Sequence, residues 1–233
     1  LPLVAIATLT RASGYVIISL ASHPVRDAAD LRGKRAGIVA AGSATEFYLD
    51  IALQAGGVPR DSVERHVVGS TIGVFTLIEQ GRLDCAVASV PVSEALMAAG
   101  APVYVWNNDA AAPLPGRCIV TTRARVDAEA DMLAACLRAI RASLRDLTGS
   151  AAGLDAAVAR VAAAFGVPEA RNVSAFTIQA RSELALVARD EYGPSLRNPL
   201  DDWRTGCAAL TRIGIDRIPD PASIVTDTVL ARM

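Results

Sequence analysis

A glycine-serine turn separates an apolar run from an amphipathic segment in the stretch AGIVAAGSATEFYLDIAL, residues 36–53. The apolar run predicts a short buried strand, and apolar residues at helical spacing predict a helix over 45–55. The turn between them consists of Gly42, Ser43, Ala44 and Thr45. A helix N-terminus exposes unpaired N–H groups and the positive end of the helix dipole, so this turn is suited to bind an anion or a polar oxygen. Plain capping of the helix by Ser43 or Thr45 is the structural alternative.

Other polar segments follow predicted strands or begin predicted helices. They supply the remaining candidate ligand contacts: Ser70 and Thr71 at a helix start, Ser89, Val90 and Pro91 at a strand end, Arg11 and Ser13 in an early loop, and Trp106 after a strand. An arginine could pair with an anionic ligand, and a tryptophan could stack on a ring. Capping, a solvated arginine and core packing of the tryptophan are the corresponding structural alternatives.

The sequence offers little support for catalysis or metal binding. The histidines are His23 and His66, and neither has a carboxylate or cysteine at metal-ligand spacing. No phosphate-binding glycine motif, nucleophile elbow or Ser-His-Asp arrangement is present. The four cysteines, Cys85, Cys118, Cys136 and Cys207, are widely spaced and form no CxxC pair. We therefore predict no catalytic residue, metal or cofactor, and we interpret the cysteines as buried small apolar residues, with one disulfide left open.

Composition excludes several classes of partner. The 233 residues are 52% hydrophobic and 4% aromatic, and the formal net charge is −1. No basic block is present, so we expect no nucleic-acid partner. No apolar run reaches the length of a membrane span. Because the chain opens at Leu1 directly into the strand-like run LVAIATLT, we expect that N-terminal sequence precedes it.

The order of predicted elements indicates the fold class. Strand-like runs at 3–9 and 15–20 are followed, from residue 34, by alternating strands and helices that end with a strand at 102–106. A further strand is predicted over 117–125, and helices over 128–148, 151–165, 169–190, 200–213 and 221–232. Strand–helix alternation is typical of a mainly parallel sheet flanked by helices, which makes this an α/β protein.

A family resemblance covers about residues 30–230 and is clearest over 28–96. The carrying features are DLRGK (30–34), the strand and Gly-Ser turn at 36–45, GGVPRDSV (56–63) and EQGRLDCAVASVP (79–91). In this order they resemble the periplasmic solute-binding proteins of ABC importers, in the group that binds nitrate, sulfonates, taurine and thiamine-pyrimidine precursors.

The resemblance implies a type 2 periplasmic-binding fold with two α/β lobes joined by two hinge crossings. It assigns 1–22 plus 119–233 to a first lobe with a helical C-terminal region, and 23–118 to an inserted second lobe. It also implies an additional βαβ segment ahead of LVAIATLT. The ligand is expected in the cleft between the lobes, in contact with the candidate residues named above.

The function implied by the resemblance is capture of a small solute and its delivery to a membrane permease, without chemistry. The expected location is the periplasm or a lipid-anchored extracytoplasmic position, and the expected state is a monomer. Two alternatives stay open at this point. One is an enzyme on the same fold that acts in thiamine-pyrimidine or menaquinone-precursor synthesis, and the other is the sensor lobe of a regulator.

Overall fold

The computed structural model describes residues 2–10, 12–69, 73–111, 114–165, 173–191 and 193–233. The strands are β1 (Leu3–Thr8), β2 (Tyr15–Leu20), β3 (Arg35–Ile38), β4 (Glu64–Val67), β5 (Cys85–Ser89), β6 (Val103–Trp106), β7 (Cys118–Thr122), β8 (Arg189–Asp190) and β9 (Gly193–Pro194). The helices are α1 (Ala44–Ala55), α2 (Val74–Glu79), α3 (Val90–Ala98), α4 (Arg123–Gly149), α5 (Ala151–Phe165), α6 (Val173–Ala185), α7 (Leu200–Arg212) and α8 (Pro221–Ile224).

These elements form two compact units, and the chain passes between the units more than once. The first unit contains Leu1–Ser13, Pro115–Arg204 and Pro219–Met233. The second unit contains Gly14–Leu114 and Thr205–Ile218. Across the described residues, no helix is long and apolar enough to cross a membrane.

The second unit is built on a mixed five-stranded sheet in the order β4-β3-β5-β2-β6. β3 is parallel to β4 and to β5, whereas β2 is antiparallel to both of its neighbours, β5 and β6. The carboxyl ends of β3, β5 and β6 therefore share one edge of the sheet with the beginning of β2. Ligand sites in open α/β sheets lie at such an edge, beyond the carboxyl ends of the parallel strands.

Helices cover both faces of this sheet because successive strand residues point to opposite sides. Ile17 of β2 packs in a buried cluster with Leu49 of α1. Its neighbours Val16 and Ile18 belong to a different cluster, together with Phe75 of α2. The apolar runs of the sequence are therefore central strands that are buried on both faces.

The first unit has a different core. β1 pairs antiparallel with β7, and the register is interrupted between Ala5 and Ala7. Val4 and Ile6 pack with Leu137 of α4, so the strand pair is buried against this helix. The backbone of α4 departs from helical geometry at Glu129, where the helix kinks. α5 contacts both α4 and α6, and β8 pairs with β9 as a short antiparallel hairpin.

The predicted α/β class is confirmed, and most predicted elements are present. The division into units differs from the predicted ranges, because β2 is hydrogen-bonded inside the second unit's sheet and residues 205–218 also join that unit. The described strands of the first unit are antiparallel, not mainly parallel.

Two helices predicted near the C-terminus are shorter than expected. The helix predicted over 169–190 is described from Val173, ends at Ala185 and is followed by the β8–β9 hairpin. The helix predicted over 221–232 ends at Ile224. Immediately after it, Val225 bridges to Ala5, and the Thr226 N–H donates to the Ala5 carbonyl at 2.9 Å. The helix predicted from the local pattern therefore ends here, because Val225 and Thr226 pair with Ala5 of β1.

Candidate ligand-binding site

A cavity of about 150 Å³ lies in the second unit, where β3 and β5 end and α1 and α3 begin. Its polar side chains are Ser43, Thr45, Ser89 and Tyr15. The rest of the lining is small or apolar: Val39, Ala44, Gly69, Val74, Val87, Ala88 and Val92. None of the described lining residues carries a formal charge, so hydroxyls and backbone amides supply the polarity of this part of the site.

The start of α1 presents hydrogen-bond donors to this cavity. Ser43 is the N-cap residue and has an extended backbone, with φ −84° and ψ 165°. Its carbonyl accepts the first helical bonds, from Glu46 N at 3.0 Å and Phe47 N at 3.1 Å. The N–H groups of Ala44 and Thr45 precede those bonds and have no intrahelical acceptor. They lie at the positive end of the helix dipole, which favours a negatively charged ligand group.

The Ser43 hydroxyl does not cap the helix, in contrast to the capping alternative considered from the sequence. Its Oγ lies 2.7 Å from Oγ1 of Thr45 instead. Thr45 is 2% exposed, and its Oγ1 accepts a hydrogen bond from the Val39 backbone N–H at 3.0 Å. Two hydroxyls carry two hydrogens, and the bond between them uses one. Whichever hydroxyl donates within the pair, the other keeps a hydrogen for a ligand acceptor.

Ser89 and Tyr15 form a second polar part of the cavity. They lie directly opposite each other in the antiparallel register of β2 and β5. Ser89 is the N-cap residue of α3, but its side chain makes no capping bond, and its hydroxyl has no hydrogen-bond partner within the described chain. The ring of Tyr15 packs edge-on against Tyr48, with ring centroids 6.1 Å apart. A polar hydroxyl and an aromatic ring therefore meet at one side of the cavity.

Buried contacts hold α1 in this position. Tyr48 is fully buried, and its hydroxyl oxygen accepts the Asn108 N–H at 3.0 Å. Burial raises the pKa of the Tyr48 hydroxyl, so it stays neutral. Glu46 accepts the Gly42 N–H at 2.7 Å, which satisfies one donor of the turn within the protein. Gly42 has φ +71°, a left-handed conformation that glycine adopts without strain and that permits the sharp turn into α1.

The predicted site residues are distributed unevenly around the cavity. Ser43, Ala44, Thr45 and Ser89 line it. Gly42, Val90 and Pro91 are adjacent in sequence to lining residues but do not line it themselves.

The remaining predicted residues lie elsewhere or are not described. Trp106 pairs with Ile17 and packs against the cluster that contains Tyr48, and Ser13 belongs to the first unit. Arg11, Ser70 and Thr71 lie outside the described residues.

Sequence reasoning missed Tyr15, Gly69 and the valines that line the cavity. Tyr15 follows a Ser-Gly turn, but nothing local indicates that it pairs with Ser89 in another strand. Gly69 could have been predicted as a site residue, because it ends the predicted strand 63–69 and directly precedes the predicted helix start at Ser70 and Thr71. The valines are indistinguishable in sequence from other core residues.

Metal-binding geometry is not found in the part of the chain that the structure describes. There, no three His, Cys, Asp or Glu side chains come together as a metal site requires. The four cysteines are free thiols, and Cys85 is buried in β5. Burial raises the pKa of the Cys85 thiol to about 12, so the thiol stays protonated at neutral pH.

Comparison with known proteins identifies a family and a fold. Residues 1–150 match the family model described as "NMT1/THI5 like". The sequence matches no curated protein. These 150 residues are more than half of the chain, so the match establishes family membership and confirms the predicted resemblance.

Solved structures resemble almost the whole chain. A protein from Bordetella bronchiseptica RB50 is 20% identical, with a TM-score of 0.76 over 99% of this chain and 74% of that one. The alkanesulfonate-binding protein SsuA from Xanthomonas axonopodis pv. citri, bound to MOPS, is 17% identical, with a TM-score of 0.69 over 97% and 74%. A Candida albicans gene product described as having the generic periplasmic binding protein fold is 13% identical, with a TM-score of 0.67 over 97% and 73%. At these identities the likeness establishes the fold, which is that of periplasmic binding proteins.

Proposed function

The chain belongs to the NMT1/THI5-like family, and from this membership we propose that it is the substrate-binding component of an ABC importer. In this proposal it captures a small solute outside the cytoplasm, in the periplasm, and delivers it to a membrane permease. It releases the solute unchanged and is not an enzyme. The fold shared with the Xanthomonas alkanesulfonate-binding protein supports this role.

The observation that carries the proposal is the donor-rich lining at the start of α1, in which no described residue is charged. The Ala44 and Thr45 N–H groups precede the first helical bond, and the Ser43–Thr45 hydroxyl pair keeps one hydrogen to donate. Such a set of donors suits an oxyanion, because hydrogen bonds to a charged acceptor are about twice as strong as neutral ones. None of the described lining residues is a lysine or arginine, and an anion held by neutral donors is released more readily than one held in a buried ion pair.

The valines around the donors narrow the ligand class. Val39, Val87 and Val92 line the cavity next to the hydroxyls, so an apolar group attached to the oxyanion would also be buried there. A short alkanesulfonate meets both requirements. Nitrate and taurine carry an oxygen-rich head but no purely apolar tail, and a thiamine-pyrimidine precursor would place its ring against Tyr15. We therefore propose small sulfonates as the first ligand class.

Calorimetric titration with ethanesulfonate tests this proposal. We expect saturable binding to the unaltered protein and no binding of ethyl methyl sulfone, which has a similar shape but no charge. Ser43→Ala should weaken sulfonate binding about tenfold, which corresponds to about 1.4 kcal/mol. It should leave the free energy of unfolding nearly unchanged, because the Ser43 hydroxyl does not cap α1.

Ser62→Ala is the matched control. The Ser62 hydroxyl is exposed and donates to the Pro59 carbonyl in the same unit, at 2.6 Å, so sulfonate affinity should not change. Failure of the protein to bind sulfonate, nitrate, taurine or a thiamine-pyrimidine precursor would contradict the proposal. Turnover of any of these compounds would favour an enzyme.

A further inference from the structure

The first unit contains a cavity of its own, with a different chemical character. Its volume is about 490 Å³, and it lies between α4, the β8–β9 hairpin and the C-terminal segment. Three arginines, Arg141, Arg145 and Arg197, line it together with Asp190 and Asp227. The described lining of the proposed sulfonate site in the second unit has no charged residue, so the two cavities favour different ligands.

The side chains of two of the three arginines have no partner within the described chain. The side chains of Arg141 and Arg197 make no hydrogen bond or ion pair within the described chain. Arginines elsewhere do pair, even where both side chains are largely exposed, as Arg125 does with Glu129 at 2.8 Å. The cavity nevertheless contains carboxylates, so the unpaired state of Arg141 and Arg197 does not reflect a lack of nearby acidic residues.

Asp227, one of those carboxylates, is bound to another group. Its Oδ1 accepts a hydrogen bond from Nδ2 of Asn198 at 3.0 Å. Asn198 is 8% exposed and is held by two further bonds: its Nδ2 donates to the Thr226 carbonyl at 3.1 Å, and its Oδ1 accepts the Thr8 hydroxyl at 2.9 Å. This network holds Asp227 against the core of the unit. Asp227 is therefore hydrogen-bonded to Asn198, whereas the guanidinium N–H groups of Arg141 and Arg197 are left to bind a ligand.

Backbone strain occurs at the same place. Leu196 is the non-glycine residue with positive φ, +58°, within the described chain, and it is only 1% exposed. A bulky residue in this region is strained, and the conformation persists only when its surroundings enforce it. Here the enforcing contacts are core packing and the bond from Thr8 N to the Leu196 carbonyl at 3.1 Å. Leu196 lies between Ser195 and Arg197, which both line the cavity. The strained conformation of Leu196 therefore fixes the backbone position of these two residues.

We propose that this cavity is a second ligand site, which binds an organic phosphate through Arg141 and Arg197. Guanidinium groups match the geometry of phosphate oxygens and bind them through paired hydrogen bonds. Pro194 and Leu230 add apolar surface to the lining, and the volume exceeds that of a bare phosphate, so a phosphate ester with a small apolar group fits the site better than the inorganic ion. The site is independent of the proposed sulfonate site and lies in the other unit.

Calorimetric titration of the full chain with phenyl phosphate tests this inference. We expect phenyl phosphate to bind and phenol not to bind, with inorganic phosphate binding more weakly than the ester. Arg141→Gln and Arg197→Gln should each weaken phenyl phosphate binding at least tenfold. Both side chains lie outside the buried core, so the melting temperature of each variant should match that of the unaltered protein.

Two controls separate this site from the other one. Arg125→Gln removes an exposed, paired arginine from the same helix, α4, and should leave phenyl phosphate binding unchanged. Ser43→Ala should also leave it unchanged, whatever its effect on sulfonate binding.

Three results would overturn the inference. They are absence of phenyl phosphate binding, unchanged affinity in both cavity-arginine variants, and loss of binding in Ser43→Ala alone. A failure of sulfonate binding would leave this test intact, because it concerns a different unit.

Discussion

At the scale of single residues, Ser43 lies at the start of α1, but its hydroxyl does not cap the helix and can instead contact a ligand. Its type and place suggest a helix cap, but its hydroxyl pairs with Thr45, which in turn accepts the Val39 N–H. The Thr45 hydroxyl is therefore structural, and the Ser43 hydroxyl is the more expendable of the pair for stability. This division makes Ser43 the informative substitution for ligand binding.

The ion pair between Arg35 and Asp84 predicts a pH dependence of stability. The Asp84 carboxylate accepts three bonds from Arg35: from the backbone N–H at 2.8 Å, from Nε at 3.0 Å and from Nη2 at 3.1 Å. Hydrogen bonds from Arg35 hold the pKa of Asp84 below its ordinary value. The stabilisation is therefore complete above the unfolded-state pKa, near 4, and is lost as the pH falls through the lower folded-state pKa.

Asp84→Asn should lower the free energy of unfolding at pH 7 by about 1 kcal/mol, a modest value because the pair is partly solvated. The difference from the unaltered protein should shrink as the pH falls below about 4. Urea unfolding across pH 2.5–7 measures both effects. Asp61→Asn is the control, since the exposed Asp61 side chain makes no hydrogen bond or ion pair within the described chain, and its effect should be small at every pH. If the two proteins differed in free energy of unfolding by the same amount at every pH in this range, the Arg35–Asp84 ion pair would not be the cause of the pH dependence.

At the scale of elements, the turn that leads into β7 is tightly packed. Gly116 lies against Thr10, two residues beyond the end of β1, and a β-carbon built on it would overlap both the hydroxyl and the carbonyl oxygen of Thr10. The next residue, Arg117, donates its N–H to Oγ1 of Thr10 at 2.8 Å. Little room is left for the turn to move away, so a larger residue at position 116 must distort it.

Gly116→Ala should therefore lower the free energy of unfolding by about 2 kcal/mol or more, through overpacking. Thermal and urea unfolding measure the loss. Gly149→Ala is the matched control in the same unit, because a β-carbon there meets no atom within 4 Å and Gly149 ends α4. That change should be neutral or stabilising by up to about 1 kcal/mol, since alanine favours helix. Equal stability of the two variants would show that the turn is not tightly constrained.

At the scale of the whole molecule, the second unit is completed by a distant part of the chain. Residues 205–218 belong to it, although 90 residues of sequence (115–204) in the first unit intervene. Ala209 of α7 is 2% exposed and packs in the cluster that contains Tyr48 and Leu49 of α1. The stability of the unit that carries the candidate ligand site therefore depends on α7.

Ala209→Asp should destabilise the second unit by about 3 kcal/mol, because it places an unpaired charge in that core. Hydrogen exchange followed by mass spectrometry should show faster exchange in peptides from 14–114. Ala208→Asp, one position earlier on the same helix, places the charge at an exposed position and should leave exchange unchanged. Similar exchange rates in the two variants would show that α7 does not contribute to this core.

Local patterns in the sequence determined the fold class and the centre of the candidate site. Apolar periodicity predicted the strand–helix alternation, and the Gly-Ser turn before a helical pattern located Ser43, Ala44 and Thr45, which line the cavity. The strand end at Ser89 was found in the same way. These features depend on residues within one turn or one strand of each other, so the sequence by itself was sufficient to identify them.

The tertiary structure alone decided which distant residues meet. Tyr15 faces Ser89 because β2 is inserted antiparallel between β5 and β6, and Val225 leaves its predicted helix because it bridges to Ala5. The arginines of the first unit's cavity likewise come from segments far apart in sequence. Such pairings carry no local signal, since their free energy comes from hydrogen bonds and burial that exist only after the chain has folded.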